Sequence, residues 1–154
     1  MGKNLADVVT SSDWIAKALQ SCGYAADFTP GSLWEIERFL DEQTATGAAR
    51  PGGLLAEGLG YRLFALGAYV GEVIRRDRGG VWISNDDDPQ AEINVVLKMN
   101  DGGIIWPVQR VLKRFKNGRE ESLIGYGAAL GLSLGPDSQQ KKTSWLGSLL
   151  GRRK

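Results

Sequence analysis

Histidine is absent from this chain, and cysteine occurs once, at Cys22. The first absence removes the side chain most often used as a general base near neutral pH and as a metal ligand. No Ser-His-Asp or Cys-His set can be assembled, and no zinc-ligand spacing exists. The second leaves no intramolecular disulfide and fits a reducing compartment. No apolar run approaches the roughly 18 residues needed to cross a bilayer. The N-terminal stretch MGKNLADVVTSSD has one Lys, an early Asp and no apolar h-region, so it does not read as a signal peptide. No Walker loop and no GxGxxG after a strand is found. Neither a metal nor a cofactor is expected, and the expected location is cytoplasmic.

What is there suits a folded domain. Hydrophobic residues make up 42% and charged residues 24%, which argues against wholesale disorder, a collagen repeat or a coiled coil. The length fits one domain, or one domain with a tail. Nineteen basic and 18 acidic residues give a net charge of +1, unevenly placed. The segment 141–154 holds five basic residues and no acid, so residues 1–140 carry 14 basic and 18 acidic residues, a net of −4. A mildly acidic body argues against general attraction to nucleic acid.

Along the chain, residues 1–11 are expected to be loosely held. Ser12 reads as an N-cap, with Trp14, Ile15, Ala18, Leu19 and Cys22 on an apolar helical stripe that ends at Gly23. Cys22 is therefore expected to be a buried structural thiol. A second helix is predicted over Asp27–Gln43. Pro30 sits near its start and Ser32 with Glu35 is a capping-box pair. Leu33, Ile36, Phe39 and Leu40 form its inward face, and Glu35, Glu37, Asp41 and Glu42 its solvated one. Residues 43–53 read as a loop.

The longest helical pattern runs from Leu54 to Arg76. Leu55, Leu59, Leu63, Leu66, Val70 and Val73 recur at three and four, and much of the other face is apolar too, which places this helix centrally. Gly60, Gly67 and Gly71 each cost helix stability, about 1 kcal/mol against Ala. A helix crossing or sheet is expected to approach closely at Gly67 and Gly71. Glu72 lies in the apolar stretch one turn before Arg75 and Arg76. It reads first as an ion-pair residue, and second as a functional carboxylate with a raised pKa.

Val81–Ile83, 93–98 and 103–106 are predicted strands, the last two joined by a turn containing Asp101-Gly102. The run Asn85–Pro89 reads as a solvated acidic loop, with Asp86 and Asp88 as secondary functional candidates and without EF-hand spacing. Pro107 opens a helix whose inward face is Val108, Val111, Leu112 and Phe115. Five positive charges fall within residues 110–119, and Arg110, Lys113 and Arg114 share one face. That face is a candidate partner-binding surface, with Trp106 or Tyr126 as a stacking partner. The blander alternative is a solvated face neutralised within the fold by the acidic second helix or the Asp86–Asp88 loop. A last helix or helical turn is predicted over 120–130.

The expected architecture is therefore α+β. A single domain over 12–134 has four to five helices around a long central helix, packed on a small three-stranded antiparallel sheet. Residues 135–154 form a linker and a basic amphipathic tail. There Trp145, Leu146, Leu149 and Leu150 share a helical face between basic ends. This face is a second candidate for partner binding, for weak contact with an anionic membrane surface, or for docking on its own domain or a second copy. Five tryptophans, at 14, 34, 82, 106 and 145, are expected mostly in the core, with one or two at a binding surface.

The stretches LFALGAYVGEVIRR (63–76), DDDPQAEIN (86–94) and IIWPVQRVLKRFKNG (104–118) resemble an uncharacterised family of small bacterial proteins. The resemblance covers about residues 28–131. It implies a bacterial single-domain α+β protein and carries no activity or catalytic residue. The function expected first is a non-catalytic protein-binding module, such as an adaptor, a secretion chaperone or an immunity-type protein. Second stands a peripheral membrane- or nucleic-acid-associated protein acting through 107–117 and the tail, with nucleic acid the weaker partner. Third is an enzyme built on carboxylates.

Overall fold

Helix α3, Leu59–Arg78, is the axis of the molecule. Every residue from Leu63 to Ile74 is buried, because helices cover it on one side and a sheet on another. The structure is a computed structural model and describes residues 3–137, with side chains from Leu5 onward. Around α3 lie α1 (Lys3–Ser21), α2 (Leu33–Gln43), α4 (Pro107–Asn117) and α5 (Leu123–Ala129). Strands β3 (Gly80–Ile83), β4 (Val96–Met99) and β5 (Ile104–Ile105) form an antiparallel sheet in that order. The fold is α+β, as expected. A short hairpin, β1 (Thr44–Ala45) with β2 (Ala48–Ala49), occupies part of the segment read as a loop.

Close approach at the glycines of α3 is realised. A Cβ added to Gly67 would lie 2.5 Å from the Cα of Val108, so α4 crosses α3 there at a distance that excludes a side chain. A Cβ on Gly71 would fall on the ring of Trp82 and would also crowd the Pro107 ring, so the indole packs against the bare backbone of α3 there. Gly60 has open space around it, so no such approach accounts for it.

Several local expectations need correction. α1 begins at Lys3, so residues before Ser12 are helical and Ser12 is not an N-cap. Val8, Ser11, Ser12, Ile15 and Leu19 form the buried stripe. Two serines on it masked the pattern. Ser12 Oγ turns back to the Val9 carbonyl at 2.8 Å, and Ser11 Oγ donates to Tyr61 Oη at 3.0 Å. Cys22 is exposed, because the stripe ends at Leu19. The chain before α2 is a 3-10 turn, Pro30–Ser32, and Ser32 makes no capping bond. Its hydroxyl donates instead to the Thr29 carbonyl and lies 2.6 Å from Tyr69 Oη. The chain between 54 and 59 is a separate 3-10 turn, Leu54–Ala56, with Gly58 in the left-handed region before α3. Of the four described tryptophans only Trp82 is buried, while Trp14 and Trp106 are 38% and 45% exposed. The tail residues Trp145, Leu146, Leu149 and Leu150 lie outside the described residues.

Candidate functional site

The buried carboxylates are held by the fold. Glu72 is 1% exposed and sits where α3 meets β3. Arg75 donates to both its oxygens, at 2.6 and 2.9 Å, and Trp82 Nε1 donates to Oε2 at 2.7 Å. Burial by itself pushes this carboxyl up. The hydrogen bonds from Arg75 and Trp82, with the charges of Arg75 and Arg76, outweigh it and hold the carboxyl below its usual range. The reading of Glu72 as a carboxylate with a raised pKa is therefore overturned. It orients the Trp82 ring that fills the Gly71 notch.

A depressed folded-state value means Glu72 stabilises the fold above the ordinary carboxylate range of about 4.3. That contribution is lost as pH falls through the lower folded value. Glu72→Gln should cost about 2 kcal/mol at neutral pH, the scale of hydrogen bonds to a charged group. It should also make stability less steep in acid. Urea unfolding of both proteins at neutral and acid pH checks this.

The acids of α2 were expected in solvent, yet Glu35 and Glu37 are buried. Arg38 donates to Glu35 at 2.8 Å, and Glu35 accepts the Ala25 amide at 3.0 Å, fixing the turn before α2. Glu37 accepts from Arg114 Nε at 3.1 and 3.2 Å and from the Leu123 amide at 2.6 Å. Arg114 also donates to Asp41 at 2.7 Å, and Asp41 takes two further bonds from Arg119. Arg114 is 2% exposed, which removes it from the candidate partner-binding face. It clamps α4 to α2 and to the start of α5. The acidic second helix thus neutralises part of the basic helix inside the fold.

Arg110 and Lys113 remain outside that network. They line a cleft of about 240 Å³ with Ile104, Ile105, Trp106, Gln109 and Tyr126. Arg110 pairs with Glu121 at 2.7 Å and its guanidinium lies 4.7 Å from the centre of the Tyr126 ring. Burial pushes the Tyr126 phenol up to about 12 against the pull of Arg110, so its ring stays neutral near physiological pH. Lys113 is exposed and makes no ion pair among the described residues. The structure therefore places Arg110, Lys113, Trp106 and Tyr126 around one cleft and withdraws Arg114 from the face that helical spacing gave it.

The acidic loop lies beside this cleft. Asp88 accepts from the Asn94 side chain and the Gln90 amide, which hold its carboxyl below the usual range. Asn94 in turn accepts from Gln109 of α4 at 2.9 Å. Asp88 therefore pins the loop to α4. Asp86 is exposed, with the Ser84 hydroxyl 3.4 Å away. Among the described residues no group of three or more His, Cys, Asp or Glu is placed to hold a metal ion.

One feature of this region was missed. The outward face of the sheet carries a row of large apolar side chains around one lysine, Lys98. Val81 is 65% exposed, Ile83 45% and Ile104 48%, and Trp106 continues the row into the cleft. Pairing of Val81 with Lys98, of Lys98 with Ile104, and of Ile83 with Val96 puts these side chains on one surface. The signal was present in GVWI and II, which are apolar on both faces of a period-two strand. A second exposed aromatic cluster joins Trp14 and Tyr61, with ring centres 5.6 Å apart and Arg62 over Trp14.

No family model, curated protein or solved structure matches the chain. No helix among the described residues is long and apolar enough to cross a membrane.

Proposed function

We propose that this chain is a non-catalytic bacterial protein-binding module of the adaptor, secretion-chaperone or immunity type, acting in the cytoplasm. The observation that carries the reading is the exposed apolar row Val81, Ile83, Ile104 and Trp106, running into a cleft with Arg110 and Lys113. Large apolar side chains exposed together, here on either side of Lys98, are the usual mark of a docking surface. Each large apolar side chain that a partner buries contributes about 1.5–3 kcal/mol. Tryptophan and arginine, which line the cleft at the end of the row, are among the residue types that dominate such interfaces. The occupation of Glu72 and Glu37 by structural bonds also favours binding over carboxylate catalysis.

The membrane- or nucleic-acid-associated reading ranks second. Withdrawal of Arg114 and pairing of Arg110 with Glu121 weaken the electrostatic term it needs. A second copy of the chain is the other candidate partner for the apolar row.

The test is capture of partners from the native lysate by the full chain, by a version ending at Gly135, and by full-length Ile104→Asp. A stoichiometric partner held by the first two and lost from Ile104→Asp supports the reading. A partner lost only with the tail moves the docking element to 141–154. Retention by Ile104→Asp, or no partner at all, overturns the sheet face as the site. Light scattering of the purified chain reports a second copy directly.

A further inference from the structure

β5 is an edge strand, and its open side faces a groove. The loop before it, Asn100-Asp101-Gly102, sets which groups point there. The Gly102 amide donates to the Met99 carbonyl at 2.9 Å, and the Met99 amide to the Gly103 carbonyl at 2.7 Å. Gly102 has φ +92°, the left-handed conformation that a three-residue hairpin loop needs at its last position. Bonded and non-bonded pairs alternate along an antiparallel ladder. Since Met99 and Gly103 are bonded, Lys98 and Ile104 form the next, non-bonded pair. The amide and carbonyl of Ile104 therefore point away from β4.

On that side two clefts share Ile104 and Ile105 in their walls. One, of about 430 Å³, is bounded by Arg78, Asn100 and Asp101 and by Ala129 and Leu130 at the end of α5. The other, of about 240 Å³, is bounded by Trp106, Arg110, Lys113 and Tyr126. Together they make a groove along the edge strand, mixed in charge at the hairpin end, where Arg78 and Asp101 both line it, and cationic and aromatic at the other.

We infer that this groove takes an extended acidic segment of a partner protein, which adds as a further strand to β5 and sets a carboxylate against Lys113 and Arg110. The inference rests on the protein-binding reading above and names the partner's chemistry. A donor and an acceptor side by side on Ile104 match another backbone, whereas a small anion would use only the donor. Alternate side chains of an added strand would lie over Ile104 and Trp106 on one face, with the period of two that the exposed row has. The charge requirement comes from Lys113, which has no ion pair among the described residues, and from Arg110. The Arg110 pair with Glu121 is itself partly exposed, so a guest carboxylate can join it. A second copy fits less well. Pairing β5 with its own copy would bring two copies of the same surface together, and on each the cations Arg78, Arg110 and Lys113 outnumber the acids Asp101 and Glu121.

The experiment uses the full-length chain and three short capped, labelled peptides. One alternates Val and Glu, one alternates Val and Lys, and one is the Val–Glu peptide N-methylated at every amide, so that neither edge can pair. Anisotropy reads binding, and hydrogen exchange reads the Ile104 amide. The expected result is binding of the Val–Glu peptide with new protection at Ile104. Binding should weaken about tenfold in Lys113→Glu, a surface change, and in high salt. It should be lost with the N-methylated peptide. No binding of the Val–Glu peptide, equal binding of the Val–Lys peptide, or binding without protection at Ile104 overturns the inference. So does protection at Ile104 that rises with protein concentration alone, which would assign the edge to a second copy. If a lysate partner is lost from Ile104→Asp while the Val–Glu peptide does not bind, the acidic-strand inference falls and the binding-module reading stands. If Ile104→Asp retains its partner and no peptide binds, both fall.

Discussion

Arg114→Met should lower stability by about 3 kcal/mol, and so move the thermal midpoint by roughly 6–12 °C for a domain of this size. The guanidinium is 2% exposed and joins α4 to two carboxylates of α2. Removing it leaves Glu37 buried beside an apolar side chain, and a buried charge without its partner is the costly case. The cost stays near the lower end of that range because the Leu123 amide still bonds Glu37 and Arg119 still holds Asp41. Arg114→Lys should recover only part of the loss, since an ammonium cannot span both carboxylates as the planar fork does. The double variant Arg114→Met with Glu37→Gln should be more stable than the sum of the two single losses, because the orphaned charge is gone. Urea unfolding of the four proteins at constant m-value measures this, and additive losses would show that the pair is not coupled.

The same substitution changes the response to acid. Burial raises the Asp41 carboxyl, but hydrogen bonds and charge from Arg119 and Arg114 outweigh this and leave it below its usual range. A depressed carboxylate stabilises the fold above its unfolded value, about pH 3.9 for Asp, and that contribution fades as pH falls through the folded value. With Arg114 gone the depression shrinks. The stability of Arg114→Met should therefore fall less steeply with acid than that of the parent.

Gly67→Leu should cost about 3 kcal/mol, the upper part of the range for overpacking a close-packed core. The obstacle is the backbone of Val108, 2.5 Å from where a Cβ would sit, and a backbone cannot rotate away as a side chain can. α4 would have to move out as a whole. That shift would also loosen the Arg114 clamp and the seat of Trp82 against Pro107. Gly60→Ala is the matched control. It lies in the first turn of the same helix with nothing near it, and should raise stability by up to about 1 kcal/mol through helix propensity. Equal losses at the two positions would show that helix propensity, not the crossing with α4, sets the need for glycine.

The periodicity of Leu33, Ile36, Phe39 and Leu40, and of Leu63, Leu66, Val70 and Val73, gave the cores of α2 and α3, since a repeat of three and four is a property of the chain itself. The start of α1 was hidden because Ser11 and Ser12, polar by composition, lie on its buried stripe. Their hydroxyls are satisfied by Tyr61, fifty residues away, and by the carbonyl of Val9. The N-cap signal at Ser12 was real as a propensity and lost to that packing. The candidate site was half legible. Helical spacing put Arg110, Lys113 and Arg114 on one face. It could not show that the next turn brings Arg114 against Glu37, seventy-seven residues earlier in the chain.

Local chemistry thus determined a good deal by itself. The α+β class, the central glycine-notched helix, the Asp101-Gly102 hairpin, the Pro107 helix start and the absence of imidazole chemistry all follow from residue type and short spacing. Burial of charge was decided only by the tertiary structure. Whether a carboxylate sits in water or under a guanidinium depends on which distant segment packs over it, and sequence spacing carries no record of that neighbour. For the same reason the exposed row from Val81 to Trp106 reads as core in the sequence, and becomes a surface only because the helices cover one face of the sheet and leave the other open.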